Sequence, residues 1–139
     1  MRNQNVQEIF SNLDPTKLLA VICSNTFNPR SNLTSEDKIL QAAYINLGRA
    51  KKIHPHSHFQ ITRTTVGTLE AWIVLKGKAI ASFYDTNNQF INSVEIKKRQ
   101  IIILFEGGHA LEAKSRKFSM IELKNGPYIG KKFDTVQIN

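Results

Sequence analysis

From Lys38 onward the chain is a succession of short apolar runs, several alternating with polar residues, separated by turn-forming residues. Alternate side chains of an extended strand point to opposite faces, and Val, Ile, Phe and Tyr suit a half-buried pleated surface. The pattern predicts strands near 38–47, 51–58, 69–76, 78–84, 89–96, 100–105, 109–113 and 117–124. Asp85-Thr86-Asn87-Asn88 reads as a hairpin turn, because Asp and Asn tolerate the left-handed backbone and bond their own chain. Gly77 marks a second turn and Lys97-Lys98-Arg99 a third. Before Lys38 the pattern is weaker. Val6, Ile9 and Phe10 have helix-compatible spacing within Asn5 to Asn12, and Leu18 to Cys23 reads as a strand. The expected organisation is an N-terminal extension over 1–37, a helix plus a strand packing on the rest, and an all-β sandwich or barrel domain over 38–139.

Composition narrows the class. A chain of 139 residues is one domain by the size prior, and 41% hydrophobic with 22% charged residues is ordinary for a globular protein. No apolar run reaches the roughly eighteen residues that a membrane span needs, and Met1-Arg2-Asn3-Gln4-Asn5 lacks the apolar stretch of a secretory signal. A cytoplasmic protein without a membrane partner is therefore expected. The single cysteine, Cys23, has no internal disulfide partner and reads as a buried small side chain. The formal charge of +8 is spread over short groups such as Lys51 and Lys52, Lys97 to Arg99, and Lys131 and Lys132. No basic stripe interleaved with aromatic residues is present, so nucleic acid is not an expected partner. Solvated turns account for most of this charge, and its functional reading is a bias toward small anionic ligands.

The candidate chemistry lies in the four histidines. His54, His56 and His58 occupy alternate positions and on a strand would aim two or three imidazoles to one side. Glu70 opens an apolar run that ends at Gly77. His109 follows the apolar run Ile101 to Phe105 and the sequence Glu106-Gly107-Gly108, where two glycines let the backbone bend. One carboxylate with neutral imidazoles suits a divalent ion such as Fe, Mn, Ni or Zn, and His56, His58, Glu70 and His109 would leave coordination positions open. His54 is left with three roles: a third ligand of the run, a member of a shifted pair with His56, or a residue at the rim.

These residues resemble the two motifs of the cupin superfamily, G-x5-H-x-H-x3-4-E-x6-G and G-x5-P-x-G-x2-H-x3-N. His56, His58, Glu70 and Gly77 take positions of the first, and His109 takes the histidine of the second. The chain departs at Ala50, where the first motif begins with glycine, and in the eleven residues from Phe59 to Leu69, which imply a longer hairpin. In the second motif Lys98, Leu104, Glu106 and Ala113 stand for glycine, proline, glycine and asparagine. A closer resemblance is to small bacterial cupins of the WbuC-like type and to relatives among polysaccharide and nucleotide-sugar biosynthesis proteins. Pro55-His56-Ser57-His58, the stretch from Glu70 to Gly77 and the ending Glu122 to Tyr128 carry it, within roughly residues 38 to 134. The resemblance implies a single-domain cupin jelly-roll barrel that binds a metal, with a sugar-related role.

The first functional expectation is thus a metal-dependent isomerase or epimerase acting on a sugar or sugar nucleotide, with the metal as Lewis acid. A non-catalytic metal-dependent binding or sensing module is the second, and an Fe(II) dioxygenase the third. Glu106 is the candidate general base, or a residue of a solvent-facing turn. Arg63, in the connection from Phe59 to Leu69, and Tyr128, after Gly126-Pro127, are candidate substrate contacts, since Arg binds phosphate and carboxylate in a bidentate way, or belong to a longer strand connection and to a turn closing the last strand. Trp72 and Phe83 read as core or dimer contacts, and a homodimer is expected by analogy with the fold.

Overall fold

The computed structural model describes residues 5–24 and 28–139, so Met1 to Gln4, part of the stretch read above for a secretion signal, lie outside the described residues. Ten strands and one short helix follow in chain order: β1 (Val6–Phe10), β2 (Leu18–Cys23), β3 (Arg30–Asn32), β4 (Ala43–Ile45), β5 (Glu70–Lys76), β6 (Lys78–Tyr84), β7 (Phe90–Lys97), β8 (Ile101–Leu104), β9 (Gly108–Ala113), β10 (Ser119–Lys124) and α1 (Lys131–Asp134). The protein is mostly β, and every strand pairing is antiparallel.

A five-stranded sheet in the order β1-β2-β8-β5-β10 faces a three-stranded sheet in the order β7-β6-β9. Between them lies the larger core, with Ala20, Ile22, Trp72, Val74, Ile102 and Leu104 from the first sheet and Ala79, Ala81, Phe83 and Ile96 from the second. The opposite face of the five-stranded sheet buries Val21, Cys23, Ala71 and Ile103 beneath Leu33, Leu40, Ala42 and Tyr44, next to the β3–β4 pair. That sheet is covered on both faces, which is why β2 and β8 read as continuous apolar runs rather than as alternating ones. The sheets do not close into a barrel among the described residues.

The N-terminal expectation of a helix is corrected: Val6–Phe10 is a strand paired antiparallel with Leu18–Cys23. Val6 and Ile9 pack in different clusters, on opposite faces of the sheet. Their odd separation suits a period of two as well as a helical turn, and the free edge of β2 decided between them. This N-terminal hairpin is built into the main sheet, and Ser11 Oγ donates to Asp85 Oδ1 at 2.8 Å, tying its turn to the β6–β7 turn. Of the strand expected over 38–47 only Ala43–Ile45 forms. The strand expected over 51–58 is absent, and residues 46–67 form one long exposed connection without a strand.

Gly77, between β5 and β6, carries the chain from one sheet to the other with φ of 77°. A Cβ there would collide with the carbonyl oxygen of Lys117 and lie 3.1 Å from Ser115 Cβ, so the position needs glycine on two grounds.

Candidate functional site

The inward-facing side chains of the two sheets change character along their length. Where β5 begins and β9 begins, the interior turns polar. Glu70 is the first residue of β5, which lies inside its sheet between β8 and β10. Its side chain shares the inner face with Trp72 and Val74, and it is only 6% exposed. His109 stands near the start of β9, opposite Phe83 of β6, and its side chain is 32% exposed. The two sheets bring His109 Nε2 to 3.4 Å from Glu70 Oε2.

Two neighbours fix this pair. The indole Nε1–H of Trp72 donates to Glu70 Oε2 at 3.1 Å, and the Trp72 ring meets the His109 imidazole edge-on with centroids 5.0 Å apart. Lys124 is the register partner of Glu70 on β10, and its Nζ lies 3.6 Å from Glu70 Oε1 and 3.5 Å from Glu122 Oε2. Burial pushes the Lys124 ammonium toward losing its proton, but the nearby carboxylates of Glu70 and Glu122 outweigh it and hold its pKa above the ordinary lysine value. In the same cross-strand row as Phe83 and His109, Asn92 of β7 keeps a buried side-chain oxygen without a hydrogen-bond partner among the described residues. A buried carboxyl group with an indole and an imidazole at one oxygen and an ammonium at the other is held in place, and such surroundings can orient a group toward a metal or a substrate.

The remaining histidines stand elsewhere. His54, His56 and His58 are exposed in the long connection. The His56 and His58 rings lie 5.2 Å apart, and His56 Nδ1 is 2.8 Å from the His54 carbonyl oxygen. A carbonyl can only accept, so His56 Nδ1 is the donor in this contact. No hydrogen bond or ion pair joins either ring to Glu70 or His109, and among the described residues no three His, Cys, Asp or Glu side chains converge as a metal group. The expected four-ligand set thus stands as two pairs, Glu70 with His109 and His56 with His58.

Glu106 lies in the turn after β8, half exposed, with Lys17 Nζ 2.9 Å from its Oε2. It lines an open groove with Lys17, Thr64, Thr65 and Phe105. Arg63 donates only to its neighbour's Ile61 carbonyl, at 3.4 Å, and Tyr128 is exposed beyond the cis Gly126-Pro127 bond. None of the three touches the Glu70–His109 pair.

Lys124, Glu122 and the role of Trp72 went unread in the sequence. The signal was the parity of the last strand, in which Met120, Glu122 and Lys124 share one face and Met120 packs on the core. Charged residues continuing a core-facing row mark a polar end of the interior.

Compared with protein-family models, curated proteins and solved structures, the chain matches none. No helix among the described residues is long and apolar enough to cross a membrane.

Proposed function

We propose that this is a metal-binding protein of the cupin type that takes a small anionic or sugar-type ligand, with Glu70 and His109 as the half of its ligand set that the folded body supplies. The buried Glu70 carboxylate carries this reading. Carboxylates are almost never fully buried unless paired, and here the Trp72 N–H donates to one while the His109 imidazole and the Lys124 ammonium approach it to 3.4 and 3.6 Å from two sheets. His56 and His58 would supply the second half. A divalent ion held by these residues would act as a Lewis acid toward a carbonyl or hydroxyl oxygen, which fits a sugar isomerase or epimerase.

The chain's own residues have separate tasks. Trp72 holds Glu70 in one rotamer by hydrogen bonding and His109 in one plane by ring contact. Lys124 keeps a positive charge at the mouth, where an anionic ligand would meet it. Glu106, the expected base, is held by Lys17 away from the pair. That ion pair favours a second reading, a binding or sensing module that holds its ligand without turning it over.

The test is elemental mass spectrometry on untagged protein after incubation with Fe, Mn, Ni or Zn and desalting. Wild type should retain close to one ion per chain, and Glu70→Gln and His109→Ala should each lose at least nine-tenths of it. Glu70→Gln keeps an acceptor for Trp72, so its loss reads the ligand and not the fold. Wild type that retains no ion from any of the four salts refutes the proposal.

A further inference from the structure

The two halves of the ligand set differ in their surroundings. One is buried between sheets, and the other lies on a stretch of chain that the body leaves bare. From Lys51 to Arg63 every residue is exposed, and the side-chain and turn hydrogen bonds there are local, His56 to His54 and Arg63 to Ile61. Phe59 is 89% exposed, with Ile53 and Ile61 beside it more than half exposed. The stretch nevertheless has the alternation of a strand. His54, His56, His58 and Gln60 fall on one face, and Ile53, Pro55, Ser57, Phe59 and Ile61 on the other.

The body has the complementary defect. β9 pairs with β6 on one side, and on its other side no strand among the described residues pairs with it. A bare edge beside a buried carboxylate and a half-buried imidazole is a place for a strand to add.

We infer that residues 51–63 of one chain add as a strand to the free edge of β9 in a second copy, so that each complete site combines Glu70 and His109 of one protomer with His56 and His58 of its partner. With the histidine face turned inward, His56 or His58 becomes the cross-strand neighbour of His109, at a Cβ separation of about 5 Å, with the other one diagonal to it. Glu70 already meets His109 from the facing sheet. Pro55, which has no N–H to donate, is tolerated in an edge strand. The occupant is a second copy because within the chain the stretch is tied at both ends to its own body and still stays exposed, without strand pairing to its own β9. Tyr44 Oη donates to the Arg99 carbonyl on one side, and Asn125 Nδ2 donates to Thr65 Oγ1 on the other. Two copies carry the same bare edge and the same bare stretch, so a reciprocal exchange closes with two-fold symmetry and leaves neither unpaired.

The assignment takes its ligands from the metal reading, but the strand contact does not depend on it. The first test therefore needs no metal. Ser57→Cys and Ala110→Cys place thiols on the outward faces of the stretch and of β9, and a short bis-maleimide joins them if the two strands are adjacent. In the doubly substituted chain, exchange gives a covalent dimer on denaturing gels, whereas each single variant stays at monomer mass. A cross-link at monomer mass means that the stretch folds onto its own β9, and no cross-link means that it does not lie there at all. Either result overturns the inference.

The second test reads metal content in a co-expressed mixture of His56→Ala/His58→Ala chains with His109→Ala chains. Exchange restores one of two sites in each mixed dimer, so the mixture should recover about one quarter of the wild-type ion per chain. Sites built within single chains recover none, which overturns the shared site. Wild type without metal refutes the proposed function alone, and the cross-link still decides the exchange.

Discussion

Substitution of the glycines by alanine separates backbone strain from steric collision. Gly48 lies in open space with an ordinary φ, Gly67 has φ of 80° with nothing near a new Cβ, and Gly77 has φ of 77° with the Lys117 carbonyl in the way. Alanine at Gly48 only restricts the unfolded chain, so stability should rise by up to about 0.5 kcal/mol. At Gly67 the left-handed conformation costs an L-residue roughly 1–2 kcal/mol, offset in part by the same unfolded-state term, for a net loss of about 1 kcal/mol. Gly77→Ala incurs that strain and an overpacking cost of about 1–3 kcal/mol besides, because the obstacle is backbone and cannot rotate away. Its total should be about 3 kcal/mol, or a fall in Tm of roughly 10 °C for a chain of this size. Urea and thermal unfolding of the three variants beside wild type would measure the series. A Gly77→Ala loss no larger than that of Gly67→Ala would refute the claim that the β9–β10 turn is packed against this glycine.

Two further predictions concern titrating groups. Burial of Asp85 pushes its carboxyl up, but donation from Ser11 Oγ and from the amides of Thr86, Asn12 and Leu13 outweighs this and holds it below the usual aspartate value. A depressed folded pKa stabilises above the unfolded value of about 3.9 and loses that effect as pH falls through the folded pKa; the Tm gap between wild type and Asp85→Asn should hold from pH 7 to about 4 and shrink below it, and a gap constant down to pH 3 would contradict the assignment. Burial pushes the Cys23 thiol up to about 12, so it stays protonated in the folded protein and its contribution to stability is lost only as pH rises from about 8.5 toward that value; at pH 8 an aromatic disulfide reagent should label it only as fast as the protein unfolds, and rapid labelling of the native state would show the site to be open.

The last six strands were legible because each carries its own punctuation. Gly77, the Asp85 to Asn88 turn and the Lys97 to Arg99 turn bound runs whose alternation names the inner face, and β5 to β10 form close to where the pattern puts them. Legibility failed where a strand depends on its partner. Val6 to Phe10 satisfies two periods at once, and only β2 beside it selects the extended one. Residues 51–58 satisfy a strand pattern and have no strand partner among the described residues, so they remain bare. β3, three residues long, leaves no periodic trace at all. The site divides in the same way. Glu70 and His109 are fixed by strands that pair within the chain, and they meet, whereas His56 and His58 lie on an exposed stretch that forms no strand among the described residues. Lys124 was hidden because a lysine near the end of an edge strand reads as solvated until the register sets it opposite Glu70.

The polarity of the interior distinguishes a binding site from a structural ion pair. Toward Gly77 the two sheets are closed by Val74, Ala79 and Ile96, all buried and all apolar. Toward the start of β5 the same layers present Glu70, Asn92, His109, Glu122 and Lys124. A buried ion pair seldom repays the desolvation of its charges, and apolar residues of similar volume commonly stabilise such a position better. Stability alone would have carried the apolar packing through to this end. Here the charged groups gather beside β9, whose outer edge pairs with no strand among the described residues. Charged groups at this end, where apolar packing would be the more stable choice, are what the proposed ligand role of Glu70 and His109 rests on.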